Sequence, residues 1–228
     1  ASDAANMVKL AAGFLQMYIE DMTRATLPIR NAPGDDVQFH VYVGESSYTQ
    51  ALGVTAQGCR DGGYRMAAGD GYLVLLGDDE PFQFEGPYEG PPANIPVGTL
   101  HDQWDAITGD TWTNYYIEDR KLERYYSSDF SIRKSDAKGS MNAVHAFLRE
   151  QGMRWYFPGD IGTITPKKSA IFVEQGSTLV NPDFPMRDFY IYYQRFENLD
   201  NGAEEPEKTK DFFKWVMSLG ESSVDEYI

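Results

Sequence analysis

Cysteine, basic residues and long apolar runs are all scarce in this chain of 228 residues. Its one cysteine, Cys59, cannot form a disulfide within the chain, so cysteine content assigns no oxidising compartment. No apolar run approaches the roughly 20 residues that a membrane-spanning helix needs. The 20 Lys and Arg are outnumbered by 35 Asp and Glu, and the net charge of -15 would repel the phosphates of nucleic acid. We therefore expect no membrane span and no nucleic-acid partner.

Motifs for catalysis and metal binding are also scarce. His40 and His145 are isolated, and none of the three histidines has the ligand spacing of a zinc site. His101, Asp102 and Asp105 form the tightest polar cluster, for which a solvated helix start is favoured over a metal or acid/base site. Sugar hydrolysis needs two carboxylates that face each other across the scissile bond. Because the chain has 35 Asp and Glu, the sequence does not identify any particular pair. We expect no metal, no cofactor and no catalytic residue, and a packed thiol rather than a nucleophile at Cys59.

The most distinctive segment of the chain is a continuous structural unit at 138–173, which reads KGSMNAVHAFLREQGMRWYFPGDIGTITPKKSAIFV. Ser140 is predicted to cap a helix, and Gly152 to end it in a left-handed conformation. The apolar residues of that helix repeat at helical spacing: Met141, Val144, Phe147 and Leu148. A strand then ends at Pro158, with alternate residues predicted to face inward: Met153, Trp155 and Phe157.

The pattern Gly-Ser-x-x-Ala-Val-x-x-Phe-Leu-x-x-x-Gly-x-Arg-Trp-Tyr-x-Pro-Gly in this unit resembles the N-terminal domain of family 67 glycoside hydrolases, the alpha-glucuronidases. It is still more similar to an uncharacterised bacterial family that carries this domain ahead of a sugar-hydrolase-like barrel. Segments 11–29, 40–44 and 71–79 resemble the first helix and the next strands of that domain. Together these matches cover about two-thirds of the chain, and they concern structural rather than catalytic residues.

The resemblance implies a non-catalytic accessory domain of an exported bacterial glycoside hydrolase that acts in carbohydrate degradation. Its partner would be the catalytic barrel of the same polypeptide, and its location would be secreted, periplasmic or cell-surface, with the leader removed. The alternative is a stand-alone carbohydrate-binding or assembly module. A third hypothesis is an enzyme with its own site around His101 and Asp102.

Periodicity and turn signals predict the fold class. We expect an α/β chain of the α+β type, a two-layer sandwich in which two main helices pack on one face of a mixed β-sheet. A strand is predicted at 39–43 with Phe39, Val41 and Val43 inward. Segments 64–68 and 72–76 are predicted to form a hairpin whose second arm is buried on both faces. The first helix has a long apolar stripe: Met7, Val8, Ala11, Phe14, Leu15, Tyr18, Ile19 and Met22.

A partly helical insertion at about 78–137 departs from the resembled family. Long insertions of this kind are frequently functional. Four aromatic residues in it are candidate carbohydrate-binding residues: Trp104, Trp112, Tyr115 and Tyr116. The alternative explanation is that these four residues form a small hydrophobic core within the insertion. For Trp155, core packing is favoured over stacking on a sugar, because it alternates within a strand.

Two units are predicted along the chain. Residues 1–182 would form the accessory domain, and residues 183–228 a linker with the first strand and helix of a following barrel. The segment 174–187 is predicted to be a proline-marked linker, and 188–193 a strand. An amphipathic helix is predicted at 206–219, closed by Gly220, with four residues inward: Phe212, Phe213, Val216 and Leu219.

Overall fold

The computed structural model describes residues 4–80, 136–185, 187 and 206–220. Its elements, in chain order, are α1 (Asn6–Thr23), β1 (His40–Val43), α2 (Ser47–Ala51), β2 (Tyr64–Gly69), β3 (Tyr72–Gly77), α3 (Gly139–Glu150), β4 (Arg154–Trp155), a 3-10 turn (Asp160–Gly162), β5 (Thr163–Ile164), β6 (Gly176–Val180) and α4 (Pro206–Leu219). The predicted strand at 188–193 and most of the predicted insertion lie outside these residues.

Four strands form a mixed sheet in the order β1-β3-β2-β6. β1 runs parallel to β3, whereas β2 is antiparallel to both β3 and β6. The hairpin between β2 and β3 turns at Gly71, whose φ of 78° is the left-handed conformation that such a turn requires. Leu73, Val74, Leu75 and Leu76 are all buried, which confirms that β3 is covered on both faces.

The two long helices α1 and α3 pack on one face of this sheet and confirm the predicted α+β architecture. The buried stripe of α1 meets Met141, Val144 and Leu148 of α3 in one core cluster, which also includes Leu73 and Leu75 of β3. The other face carries a smaller cluster: Val54, Ala67, Val74 and Leu76. No helix in the described part of the chain is long and apolar enough to cross a membrane.

The start of α3 differs from the prediction that Ser140 caps it. Ser140 lies inside the first turn, and the cap comes from Asp79, which is 61 residues away in the sequence. The Asp79 carboxylate accepts hydrogen bonds from Ser140 N at 2.7 Å and from Ser140 Oγ at 2.5 Å. A carboxylate here satisfies a free first-turn amide and opposes the positive end of the helix dipole.

Two predicted features are wrong at the periphery of the sheet. The linker predicted at 174–187 contains β6, an edge strand whose five residues are all exposed. Phe157, Phe39 and Val41 were expected to face inward but are exposed, because β4 ends at Trp155 and β1 lies at the other edge of the sheet. Edge positions have a neighbouring strand on one side only, so alternation there does not guarantee burial.

The predicted helix at 206–219 is present as α4, and part of it joins the main core. Val216 and Met217 are buried in the same cluster as α1 and α3. Leu219, predicted to face inward, is 40% exposed. Arg149 of α3 donates a hydrogen bond to the main-chain oxygen of Ser218 and so connects the two helices.

The two ends of the segment 81–135 are held together by the main chain. Gly139 N donates to Asp78 O at 2.7 Å, and Ala137 N donates to Glu80 O at 3.2 Å. Asp78 N in turn donates to Gly63 O at 2.9 Å, at the end of the hairpin. We call these three bonds the neck. The neck fixes where the chain leaves the sheet and where it returns to begin α3.

Candidate binding cleft

A cleft of about 180 Å³ opens between α1, the β4–β5 hairpin and α4. The C-terminal half of α1 supplies Met17, Tyr18 and Asp21. Because Tyr18 and Asp21 are three positions apart on a helix, their side chains are neighbours on the helix surface. Tyr18 is 4% exposed and belongs to the core, whereas Asp21 is exposed to solvent.

The second wall of the cleft is the β4–β5 hairpin. Trp155 pairs with Thr163 across the two short strands, so both side chains lie on the same face, toward the cleft. Asp160 lies in the turn that joins the strands. Gly162 is required in this turn, because a Cβ there would lie 1.9 Å from Phe157 O.

The segment that follows β5 is fixed against the end of α1 by two hydrogen bonds. Lys168 N donates to Met22 O at 2.9 Å, and Lys167 Nζ donates to Asp21 O at 2.7 Å. Trp155 Nε1 donates to the Tyr18 hydroxyl at 3.2 Å, which joins the two walls inside the cleft. The cleft is therefore held by bonds on its rim and at its base.

The third wall is α4, which contributes Asp211, Lys214 and Trp215. Lys214 Nζ lies 3.5 Å from Asp211 Oδ1, an ion pair across one helical turn. A Cβ at Gly159 would lie 3.4 Å from Asp211 Oδ2, so the hairpin and α4 approach closely at this point. Trp215 is partly buried and has part of its indole at the cleft.

An aromatic cluster lies behind the cleft wall. His145 of α3 is 1% exposed, and its ring centroid is 5.0 Å from that of Trp155 and 6.4 Å from that of Tyr18. His145 Nδ1 lies 3.0 Å from Met141 O, while Nε2 has no hydrogen-bond partner among the described residues. Because the ring is desolvated, burial lowers the pKa of His145 to about 3. His145 is therefore a neutral, buried imidazole.

The electrostatics of the cleft are dominated by carboxylates. Burial, opposed by the hydrogen bond from Trp155 and assisted by the charges of Asp21 and Asp211, raises the pKa of Tyr18 to about 12. The phenol is therefore neutral and can donate its proton to a ligand oxygen. Within 4–80, 136–185, 187 and 206–220, no three His, Cys, Asp or Glu side chains form a group that could hold a metal ion.

Two of the residues singled out from the sequence, His40 and Cys59, do not line the cleft. Trp104, Trp112, Tyr115 and Tyr116, together with His101, Asp102 and Asp105, lie outside the described residues. His40 begins the edge strand β1, and its Nε2 lies 3.0 Å from Gly34 O. Burial raises the pKa of the Cys59 thiol, which disfavours the thiolate that a nucleophile requires.

The sequence analysis missed most of the cleft. It predicted Trp155 to be core, and at 8% exposure the indole is indeed buried, yet one edge of it lines the cleft. Asp21, Asp160 and Asp211 belong to three segments far apart in the chain, so no local spacing connects them. The nearest signal was the Asp-Ile-Gly turn after the Trp-bearing strand, which marks a surface loop beside a buried aromatic.

Comparisons with known proteins found no counterpart. A scan of family models, a search of curated proteins and a search of solved structures each gave no match to the chain.

Proposed function

We propose that the chain is a non-catalytic accessory domain that binds carbohydrate on behalf of an exported bacterial glycoside hydrolase, whose catalytic barrel would belong to the same polypeptide. The observation that carries this proposal is the cleft, where aromatic rings stand beside carboxylates and hydroxyls. Aromatic faces pack against the apolar faces of sugar rings, and carboxylate and hydroxyl oxygens bond sugar hydroxyls.

The aromatic residues of the cleft have different roles in this proposal. The guanidinium carbon of Arg149 lies 5.8 Å from the Trp155 ring centroid and covers part of that indole. Trp155 also bonds Tyr18 through Nε1, so it forms the fixed wall. Trp215 is only partly buried and lines the cleft, so it is the ring that we expect to contact a sugar.

The size of the cleft limits the ligand to a small group. Pockets that enclose drug-sized molecules measure roughly 300–1,000 Å³. At about 180 Å³, this cleft fits one ring of an oligosaccharide and leaves the rest in solvent. A terminal or protruding sugar is therefore the expected ligand, and its affinity is expected to be in the micromolar to millimolar range, about -4 to -8 kcal/mol.

The environment of the carboxylates supports binding rather than hydrolysis. A general acid in a glycosidase needs a desolvated site that keeps its carboxyl group protonated at neutral pH. Asp21 and Asp160 are both exposed to solvent, and Asp211 is paired with Lys214. These groups suit hydrogen bonding to sugar hydroxyls, which requires no such environment.

The proposal is tested by titrating the full chain with neutral oligosaccharides and following binding by calorimetry and NMR. Trp215→Ala should abolish binding, because it removes the stacking surface. Tyr48→Ala is the matched control, since Tyr48 is 42% exposed and stacks on Tyr42 on the opposite face of the sheet. Binding that survives in Trp215→Ala but is lost in Trp112→Ala would place the site in the predicted insertion.

Two further results would contradict the proposal. Turnover of aryl-glycosides by this chain would show that it is catalytic, and the absence of binding to any tested glycan would remove the carbohydrate role. The stand-alone module remains the second candidate because the same cleft serves it equally. It is distinguished by whether the natural reading frame encodes a barrel.

A further inference from the structure

We propose that the sugar bound in the cleft carries an acetamido group, as an N-acetylhexosamine does, and that Tyr18 and Thr163 select this group. The inference rests on the proposed carbohydrate function and adds the substituent of the sugar. Its basis is the hydrogen bonding that the two side chains already make within the protein, which leaves the first to donate to a ligand and the second to accept from it. An amide offers one acceptor, its carbonyl oxygen, and one donor, its N–H.

Tyr18 supplies the donor. Its hydroxyl oxygen accepts a hydrogen bond from Trp155 Nε1 at 3.2 Å, and the direction of this bond is fixed because an indole N–H can only donate. The hydroxyl proton of Tyr18 has no acceptor among the residues that the structure describes. Nε2 of His145, which lies behind this wall, has no partner among them and so does not take the proton.

The acceptor for this proton must therefore come from the cleft, which Tyr18 lines. Water takes that place when the cleft is empty, and a ligand oxygen takes it when the cleft is occupied. Tyr18 is 4% exposed, so a ligand that displaced the water without offering an acceptor would leave a buried donor unpaired, which is costly. The ligand is thus expected to place an oxygen against Tyr18.

Thr163 supplies the acceptor on the hairpin wall. Its hydroxyl donates to Gly159 O at 3.0 Å, which uses its only proton and leaves its oxygen lone pairs for a donor in the cleft. Thr163 pairs with Trp155 across the β4–β5 hairpin, and Trp155 in turn bonds Tyr18. The acceptor therefore lies beside the indole that fixes the donor.

An acetamido group matches this pair of side chains. Its carbonyl oxygen can accept from Tyr18, its N–H can donate to Thr163, and its methyl group can pack on Met17, an aliphatic side chain of the cleft lining. A hydroxyl on the same sugar carbon would have to make both hydrogen bonds through one oxygen and has no methyl group to bury. The amide distributes the two bonds over two atoms, each with the required polarity.

The preference is measured by calorimetry on the full chain with two β-1,4-linked trimers, of N-acetylglucosamine and of glucose, which differ at carbon 2 of each ring. The N-acetylglucosamine trimer should bind about two- to tenfold more tightly, the range of one neutral hydrogen bond. The quantity followed in every variant is the ratio of the two affinities. A variant that merely loosens the cleft weakens both trimers and leaves this ratio unchanged.

Tyr18→Phe tests the donor. It keeps the ring and deletes the hydroxyl, so the two trimers should bind within about twofold of each other. Tyr64→Phe is the matched control, because it deletes a phenolic hydroxyl from a partly buried residue that packs against the same core and does not line the cleft. Tyr64→Phe should keep the ratio of the parent.

Thr163→Val and Thr163→Ser test the acceptor. Valine keeps the branched shape and removes the oxygen, so Thr163→Val should reduce the ratio. Serine can still donate to Gly159 O and accept from a ligand, so Thr163→Ser should restore it. If Tyr18→Phe does not fold, this pair of variants decides the question.

The failure of this inference and the failure of the carbohydrate proposal give different results. Equal or tighter binding of the glucose trimer to the parent would overturn the acetamido preference and leave the carbohydrate proposal standing. Binding of neither trimer would count against both. A preference for the N-acetylglucosamine trimer that Tyr18→Phe and Thr163→Val leave intact would overturn the inference, since these two side chains would not be responsible.

Discussion

At the scale of single residues, His145 and Asp79 make the stability of the folded protein depend on pH in opposite directions. His145 is neutral because the core around it excludes the charged form. Asp79 is also partly desolvated, and burial raises its pKa to about 6, against the hydrogen bonds from Ser140 that lower it. Both residues belong to α3 or to its cap, so their titrations act on the same helix.

For His145 we predict a loss of stability in acid. Its pKa falls from 6.5 to about 3 on folding, so between these values the unfolded chain binds a proton that the folded protein excludes. The free energy of unfolding should therefore decrease as pH falls through this window, by at most about 1.4 kcal/mol per pH unit. In His145→Phe this dependence should be absent. Denaturant unfolding at a series of pH values measures it, and an unchanged slope in the variant would contradict the assignment.

For Asp79 we predict the opposite slope. Its pKa rises from 3.8 to about 6 on folding, so the folded state holds the proton more tightly. The associated stability is fully present below 3.8 and is lost as pH rises through 6. Asp79→Asn keeps an acceptor for Ser140 N but removes the titration, so its acid-induced loss of stability should be steeper than in the parent. A shallower slope in the same unfolding series would show that the carboxylate is not protonated in the folded protein.

At the scale of elements, two glycines in helices provide a matched comparison. A Cβ at Gly13 of α1 meets nothing within 4 Å, whereas a Cβ at Gly139 of α3 would lie 2.2 Å from Asp78 N. Gly13→Ala should raise the free energy of unfolding by about 0.5–1 kcal/mol, the gain expected from Gly to Ala in a helix interior. Gly139→Ala should lower it by about 1–3 kcal/mol, because main chain cannot move aside.

Thermal unfolding of the two glycine variants checks both directions. Destabilisation by Gly13→Ala would contradict the open space beside α1. Equal stability of Gly139→Ala and the parent would contradict the close contact between α3 and the neck.

The sequence predicted helices and strands correctly where the apolar pattern extended over many residues or a clear turn signal preceded it. α1 has eight buried residues at helical spacing, and β3 follows a turn signal, so both were predicted. β6 was not, because its exposed residues carry no apolar alternation and its position depends on pairing with β2, over 100 residues earlier. The cap of α3 was misassigned for the same reason: Asp79 reaches Ser140 through the fold.

At the scale of the whole molecule, α4 closes both the core and the cleft. Met217 is fully buried in the main cluster, while Leu219 two residues later is 40% exposed. Met217→Ala should cost about 2–5 kcal/mol of stability, the range for truncating a buried methionine. Leu219→Ala, the control, should change stability by less than about 0.5 kcal/mol. Denaturant unfolding measures both, and equal effects would mean that α4 does not pack as described.

The cleft shows why site prediction from sequence stops short at this scale. Its walls come from 17–21, 155–165 and 211–215, and only the packing of α1, the hairpin and α4 brings them together. The composition indicated an acidic protein but did not indicate which part of its surface carries the negatively charged residues. The predicted boundary at 182 stays a prediction, although Val216 and Met217 beyond it share the core of the residues before it.

The neck fixes the spacing between the two points where the segment 81–135 leaves and rejoins the described chain. Since Glu80 and Ala137 are already joined through their main chains, a brief glycine-serine turn could replace everything between them without pulling on β3 or α3. The difference in melting temperature between this shortened protein and the parent would then measure the contribution of the segment to stability.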